Sequence, residues 1–138
     1  MFNVLADIAW LSVLLAFVVY FVLGALWFTL FFPRQYRFSL GRENDMPQTT
    51  APIFIIGPAV CTLVITVATA VLIYTLPIDS YSDALLFAAI VGLGYLSANT
   101  VTIAINPNIP RPLLYGLISG TYHLVGILIV CMILVTMK

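Results

Sequence analysis

Four long apolar runs constrain this chain more than any other feature: Ile8 to Phe32, Ile53 to Leu76, Ala84 to Ile105 and Leu113 to Thr136. A helix needs about 20 mostly apolar residues to cross the hydrocarbon core of a bilayer, and each run reaches that length. Pro33 closes the first run, Pro52 and Pro77 bracket the second, Asn106-Pro107-Asn108 follows the third, and Pro112 opens the fourth. Proline is tolerated at helix ends, where its missing N–H removes no internal hydrogen bond. Pro58 is the exception, about one turn inside the second run, where neighbouring helices can satisfy the carbonyl it frees. The runs are too long and too continuous for the alternating strands of a membrane barrel. The expected fold is therefore all-α, a single polytopic domain over 1–138, with four transmembrane helices packed as a bundle and residues 33–52 as a loop.

Composition agrees with lipid as the main solvent. Of 138 residues, 63% are hydrophobic and only 7% charged, against roughly 25% charged in soluble domains. Five Lys and Arg balance five Asp and Glu, so nothing points to a nucleic-acid partner. Cys61 and Cys131 lie far apart inside apolar runs and read as small hydrophobes, not as metal or redox ligands. The segment Met1 to Asp7 has an acid and no Lys or Arg, and the run after it outlasts a signal-peptide core. The first run is thus expected to be a retained span. No cofactor or metal is expected, since one histidine without carboxylates or thiolates at ligand spacing makes no site.

Orientation follows from the basic residues. Arg34, Arg37 and Arg42 lie in the first loop and Arg111 in the third, whereas the opposite side has Asp7, Asp79, Asp83 and only Lys138 as a cation. The positive-inside rule places the arginines in the cytoplasm and both termini outside. Arg34 and Arg37 alternate with Tyr36 and Phe38, the pattern of an interfacial anchor reaching phosphate headgroups; a specific anion or lipid site is the alternative. Gly41 to Thr50, rich in turn residues, reads as a mobile loop.

The polar and small residues inside the runs carry the remaining information. Ala88, Gly92, Tyr95, Asn99 and Thr102 fall on one face of the third span at helical spacing. Gly116, Gly120, His123 and Ile127 do so on the fourth, where the GxxxG pair lets another backbone come close. Tyr20, Gly24, Trp27 and Phe31 share a face on the first span, as do Thr62, Thr66 and Thr69 on the second. His123 is the one ionisable side chain deep in the bilayer. An unpaired polar group there costs several kcal/mol, so His123 needs a partner. Asn99, on the neighbouring antiparallel span, or a tyrosine can supply it, with Tyr122, Thr121 and Thr100 as further donors or acceptors. An intramembrane ionisable residue is a functional candidate by default; a neutral histidine fixing helix register is the bland alternative.

With these residues in view, the chain resembles the bacterial membrane family known as domain of unknown function 1761. The segment Phe21-Val22-Leu23-Gly24-Ala25-Leu26-Trp27-Phe28 is similar to that family's Gly-Ala-Leu-Trp-Tyr signature. Gly92 to Asn99, Arg111-Pro112 and Gly120-Thr121-Tyr122-His123-Leu124 are similar to its glycine-rich span, its basic-proline turn and its glycine-tyrosine-histidine segment. Phe28 stands where the family usually has tyrosine, and Thr29-Leu30 replaces a serine-proline pair. The resemblance implies a bacterial inner-membrane protein and singles out Gly24, Trp27, Asn99, Tyr122 and His123. It implies no activity.

Three functional classes remain. The first is a non-enzymatic module whose stripes bind partner helices, a further copy or a lipid-like ligand. The second is a homo-oligomeric channel or transporter for a small neutral or anionic solute; the lack of an acid within the spans disfavours proton-coupled cation export. The third is an intramembrane enzyme with His123 as base and Ser119, one turn earlier, as nucleophile. The expectation is the first.

Overall fold

In a computed structural model describing residues 3–45, 51–76 and 78–138, four long helices form the bundle and no strand occurs among those residues. We label them α1 (Trp10–Phe31), α3 (Ile53–Thr75), α4 (Tyr81–Ala104) and α5 (Pro112–Thr136); a short helix, α2 (Pro33–Ser39), follows α1. All four long helices are apolar enough to cross a membrane. Helix α4 begins ahead of the expected Ala84 because Ser80 caps it: its Oγ accepts from the Asp83 N–H at 3.1 Å and donates to the Asp83 carboxylate at 2.7 Å. That cap draws the polar residues Tyr81 to Asp83 into the first turn. Of the expected mobile loop, 46–50 lies outside the described residues.

Each span is apolar around most of its circumference, so hydrophobicity alone cannot decide which face turns inward. Small residues decide it. Helix α5 is the central element, packed against α1, α3 and α4, and its buried face includes Gly116, Ser119, Gly120 and Gly126. Without glycine these contacts would clash. A Cβ on Gly116 would lie 2.8 Å from Val101 Cγ2, and one on Gly92 would lie 2.7 Å from Leu124 Cδ1. Gly120 sits against Ser97, whose Oγ donates to the Gly120 carbonyl at 2.8 Å. On α3, Thr62, Thr66 and Thr69 are buried together, and each hydroxyl donates to the carbonyl four residues back, at 2.6, 2.8 and 2.8 Å. Their polarity is thus spent within the helix, and their small size is what the interface uses.

Two departures from ideal helical spacing share one cause. Residues Gly92–Ser97 form a π-helical turn, which places one extra residue in the turn and rotates everything beyond it. The inward face of α4 therefore runs Ala84, Ala88, Gly92 and then Ser97, Val101 and Ala104. Tyr95, Asn99 and Thr102, expected on the inward stripe, are exposed on the outside of the bundle. A second π-helical turn, Trp27–Phe31, leaves Phe31 51% exposed, off the face it would share with Tyr20 and Gly24. Phe28 turns inward instead.

The polar ends are held by separate contacts. At one end Lys138 pairs with Asp79 at 2.6 Å and donates to the carbonyls of Ile73 and Ile78 at 3.4 and 3.2 Å. At the other, the Arg111 N–H donates to the Ser39 carbonyl at 3.3 Å, tying α2 to the start of α5.

Candidate functional site

An aromatic cluster lies where α1 meets α5. Tyr20 is wholly buried, and a 2.7 Å hydrogen bond joins its Oη to His123 Nδ1. Tyr122 packs beside both, with ring centroids 5.4 Å from Tyr20 and 4.7 Å from His123. Phe28 and Trp27 close over Tyr122 at 5.3 and 6.4 Å. The Trp27 indole N–H donates to the Ile118 carbonyl at 3.1 Å, which satisfies its polar edge and fixes the α1–α5 register a turn and a half from the Tyr20–His123 bond.

Two glycines admit these rings. A Cβ on Gly24 would lie 2.7 Å from the Tyr122 hydroxyl. One on Gly126 would lie 2.8 Å from Tyr20 Cζ and closer still to Cδ2 and Cε2. Each glycine thus serves an aromatic residue on the opposite helix, so the packing is reciprocal.

His123 therefore has the partner its depth demands, but that partner is Tyr20 and not Asn99. The π-helical turn carries Asn99 to the outer surface, along with Tyr95, 70% exposed, and Thr102. Thr102 donates to the Ala98 carbonyl at 3.0 Å, whereas Tyr95 and Asn99 have no side-chain hydrogen bond among the described residues. Thr100 likewise turns to its own helix, donating to the Leu96 carbonyl at 2.8 Å. Gly92, Gly116 and Gly120 lie at the α4–α5 contact. Sequence reasoning missed Gly126, Ser97 and the identity of the tyrosine. Ser119 Oγ is buried without a partner among the described residues, so it makes no hydrogen bond to His123. With His123 Nδ1 committed to Tyr20 and Ser119 unbonded, the two do not form a nucleophile–base couple. Among the described residues no group of three or more His, Cys, Asp or Glu is placed to hold a metal ion.

A different arrangement lies at the arginine-bearing end. Arg111 stacks 3.5 Å above the centroid of Phe38, donates to the Phe38 carbonyl and pairs with Glu43 at 2.7 Å. Arg42 pairs with Asp45 at 3.9 Å, and Arg37 donates to the Asp45 carbonyl. Arg34, Gln35, Arg37, Phe38 and Glu43 line an open pocket of about 550 Å³. On the same short helix, Tyr36 packs on Phe28 and Tyr115, with centroids 4.8 and 5.8 Å away. Burial, and then the adjacent Tyr115, push its hydroxyl up to about 12, so Tyr36 stays neutral at physiological pH.

The family model described as protein of unknown function (DUF1761) matches residues 11–135. The chain belongs to that family. The match runs from the first turn of α1 almost to the end of α5, so the DUF1761 region takes in both the aromatic cluster and the arginine-lined pocket. Of the residues the resemblance singled out, Gly24, Trp27, Tyr122 and His123 meet in one cluster, and Asn99 lies outside it. No curated protein and no solved structure matches the chain.

Proposed function

We propose that this multi-pass membrane protein is a non-enzymatic module that self-associates in the bacterial inner membrane, with both termini outside. The observation that carries this reading is the outward polar pair on α4: Tyr95, 70% exposed, and Asn99, also exposed. Asn99 lies about 8 Å, and Tyr95 about 13 Å, from the arginine-bearing end of α4 at 1.5 Å per residue. Helix α4 has 24 residues and so spans about 36 Å, against a hydrocarbon core of about 30 Å. Both side chains then sit below the headgroups, where water cannot satisfy them.

A second copy of this chain can. Copies inserted with the same orientation relate by a two-fold axis along the membrane normal, which sets α4 parallel to its counterpart. An asparagine side chain both donates and accepts and is therefore its own complement across that axis. Gly94, Ala98 and Thr102 are also exposed and four residues apart, and a Cβ on Gly94 would meet nothing within 4 Å, so the backbones are free to approach. The orientation rests on charge. Arg34, Arg37, Arg42 and Arg111 lie at one end, while Lys138, at the other, is held by Asp79.

The test is fluorescence energy transfer between labelled copies in vesicles, as a function of protein-to-lipid ratio. Asn99→Leu is expected to raise the dimer dissociation constant about five- to thirty-fold, the range of an interhelical hydrogen bond or two of about 1–2 kcal/mol in a bilayer. Wild-type protein that stays monomeric at every ratio would sink the proposal.

The same outward face favours a second reading, in which several copies enclose a path for a small neutral or anionic solute lined by Tyr95 and Asn99. Protein-dependent vesicle flux that falls in Asn99→Leu supports it; flux indifferent to that change counts against it.

A further inference from the structure

We propose that Arg34 and Arg37, with Gln35, form a binding site for the phosphate group of an anion at headgroup depth. The inference goes beyond the self-association reading and uses none of the α4 residues that carry it. It begins with charge pairing. The arginine-bearing end has four cations, Arg34, Arg37, Arg42 and Arg111, and two acids, Glu43 and Asp45. The residues outside the described ranges include no acid. Glu43 is taken by Arg111 and Asp45 by Arg42. The two arginines without a counter-ion are Arg34 and Arg37, and both line the same pocket.

Geometry gives that surplus charge a shape. Arg34 and Arg37 are three residues apart on α2, hence on one side of the helix. The pocket volume, about 550 Å³, falls in the range of small-molecule sites. Glu43 also lines the pocket, but its carboxylate already receives Arg111 at 2.7 Å. Phe38 is pinned beneath the Arg111 guanidinium and forms an apolar wall. Helix α2 starts two residues after the last of α1, which puts the pocket where headgroup phosphates lie. The Arg34 guanidinium, the Arg37 guanidinium with the N–H groups that its bond to the Asp45 carbonyl leaves free, and a neutral amide suit the several oxygens of a phosphate ester. The source is either a phospholipid headgroup or a soluble phosphate ester.

Full-length protein in a zwitterionic detergent separates the two sources. Native mass spectrometry would compare retention of phosphatidylglycerol with that of phosphatidylcholine, and calorimetry would titrate glycerol phosphate. The wild type is expected to retain the anionic lipid preferentially. Arg34→Gln/Arg37→Gln should weaken that retention about thirty-fold, at about fivefold per arginine near an anionic surface. Arg42→Gln, which removes an arginine already paired, should change it by less than about twofold. Glycerol phosphate binding that disappears in the double variant, without lipid preference, assigns the site to a soluble ester. The proposal is overturned if wild type binds neither ligand, if the double variant binds as wild type does, or if Arg42→Gln loses as much as the double variant. Circular dichroism of the variants distinguishes loss of the ligand from loss of the fold.

Discussion

Gly126→Ala is expected to destabilise the bundle by about 3 kcal/mol, the upper end for one methyl group forced into a packed core. The added Cβ falls against the ring of Tyr20, 2.8 Å from Cζ and nearer to two other ring carbons. Relief requires the ring to move, and Tyr20 is completely buried, with Tyr122 at 5.4 Å and its hydroxyl tied to His123 at 2.7 Å. Moving the ring therefore breaks a second interaction. Backbone separation of α1 from α5 is the other escape, and it pulls Trp27 from the Ile118 carbonyl. The measurement is unfolding in mixed micelles at increasing dodecyl sulfate. A double-mutant cycle supplies the control: in a Tyr20→Ala background, where the ring is gone, Gly126→Ala should cost less than about 1 kcal/mol. Equal costs in both backgrounds would mean that the clash is not with Tyr20.

The contrast between α4 and the other spans explains how much of this was legible in the sequence. The four spans and the small-residue face of α5 follow from run length, proline placement and glycine spacing, all of which act locally. The stripe Ala88-Gly92-Tyr95-Asn99-Thr102 assumes 3.6 residues per turn throughout. One π-helical turn at Gly92–Ser97 breaks that assumption, and every position beyond it changes face. The sequence does contain the alternative: after Gly92, the small residues Ser97 and Ala104 continue an inward face once one extra residue is allowed. Nothing local chooses between the two stripes. The choice belongs to α5, because Ser97 fits the gap at Gly120 and donates to its carbonyl, and Val101 fits the gap at Gly116.

Depth in the bilayer is the signal that selects the partner of His123. Tyr20 and His123 each lie eleven residues from the arginine-bearing end of their helix, about 16 Å into the bilayer. Asn99 lies only about 8 Å in. Matching depth favours the tyrosine, whereas adjacency in sequence, which suggested Asn99, reports only that two helices are neighbours. The two arginines at the pocket, by contrast, were visible as a pair in the sequence, but their lack of counter-ions was not. That depends on which arginine reaches Glu43, and Arg111 comes from 68 residues away.

Breaking the Tyr20–His123 bond should reveal what the pair is for. Tyr20→Phe leaves Nδ1 of His123 without its partner, and His123→Leu leaves the Tyr20 hydroxyl in the same state. Within one folded membrane protein, hydrogen bonds between helices average well below 1 kcal/mol, less than the ~1–2 kcal/mol found for associating model helices, because polar groups find other partners in the unfolded chain. A group orphaned in the native state is a different case and costs about 1–3 kcal/mol. Tyr20 is completely enclosed, so no water or lipid ester can reach its hydroxyl, and about 2 kcal/mol is the expected loss for His123→Leu. His123 is only partly buried, so Tyr20→Phe should cost about 1 kcal/mol, the lower end of that range. Replacing both partners with apolar groups of similar shape removes the orphan, so Tyr20→Phe/His123→Leu should recover most of that loss. Additive losses in the double variant would show that the two side chains are not coupled. The recovered protein then separates two roles. If it associates in vesicles as the wild type does, the pair acts as a register lock between α1 and α5. If stability returns and association or flux does not, then the imidazole contributes something that packing cannot replace.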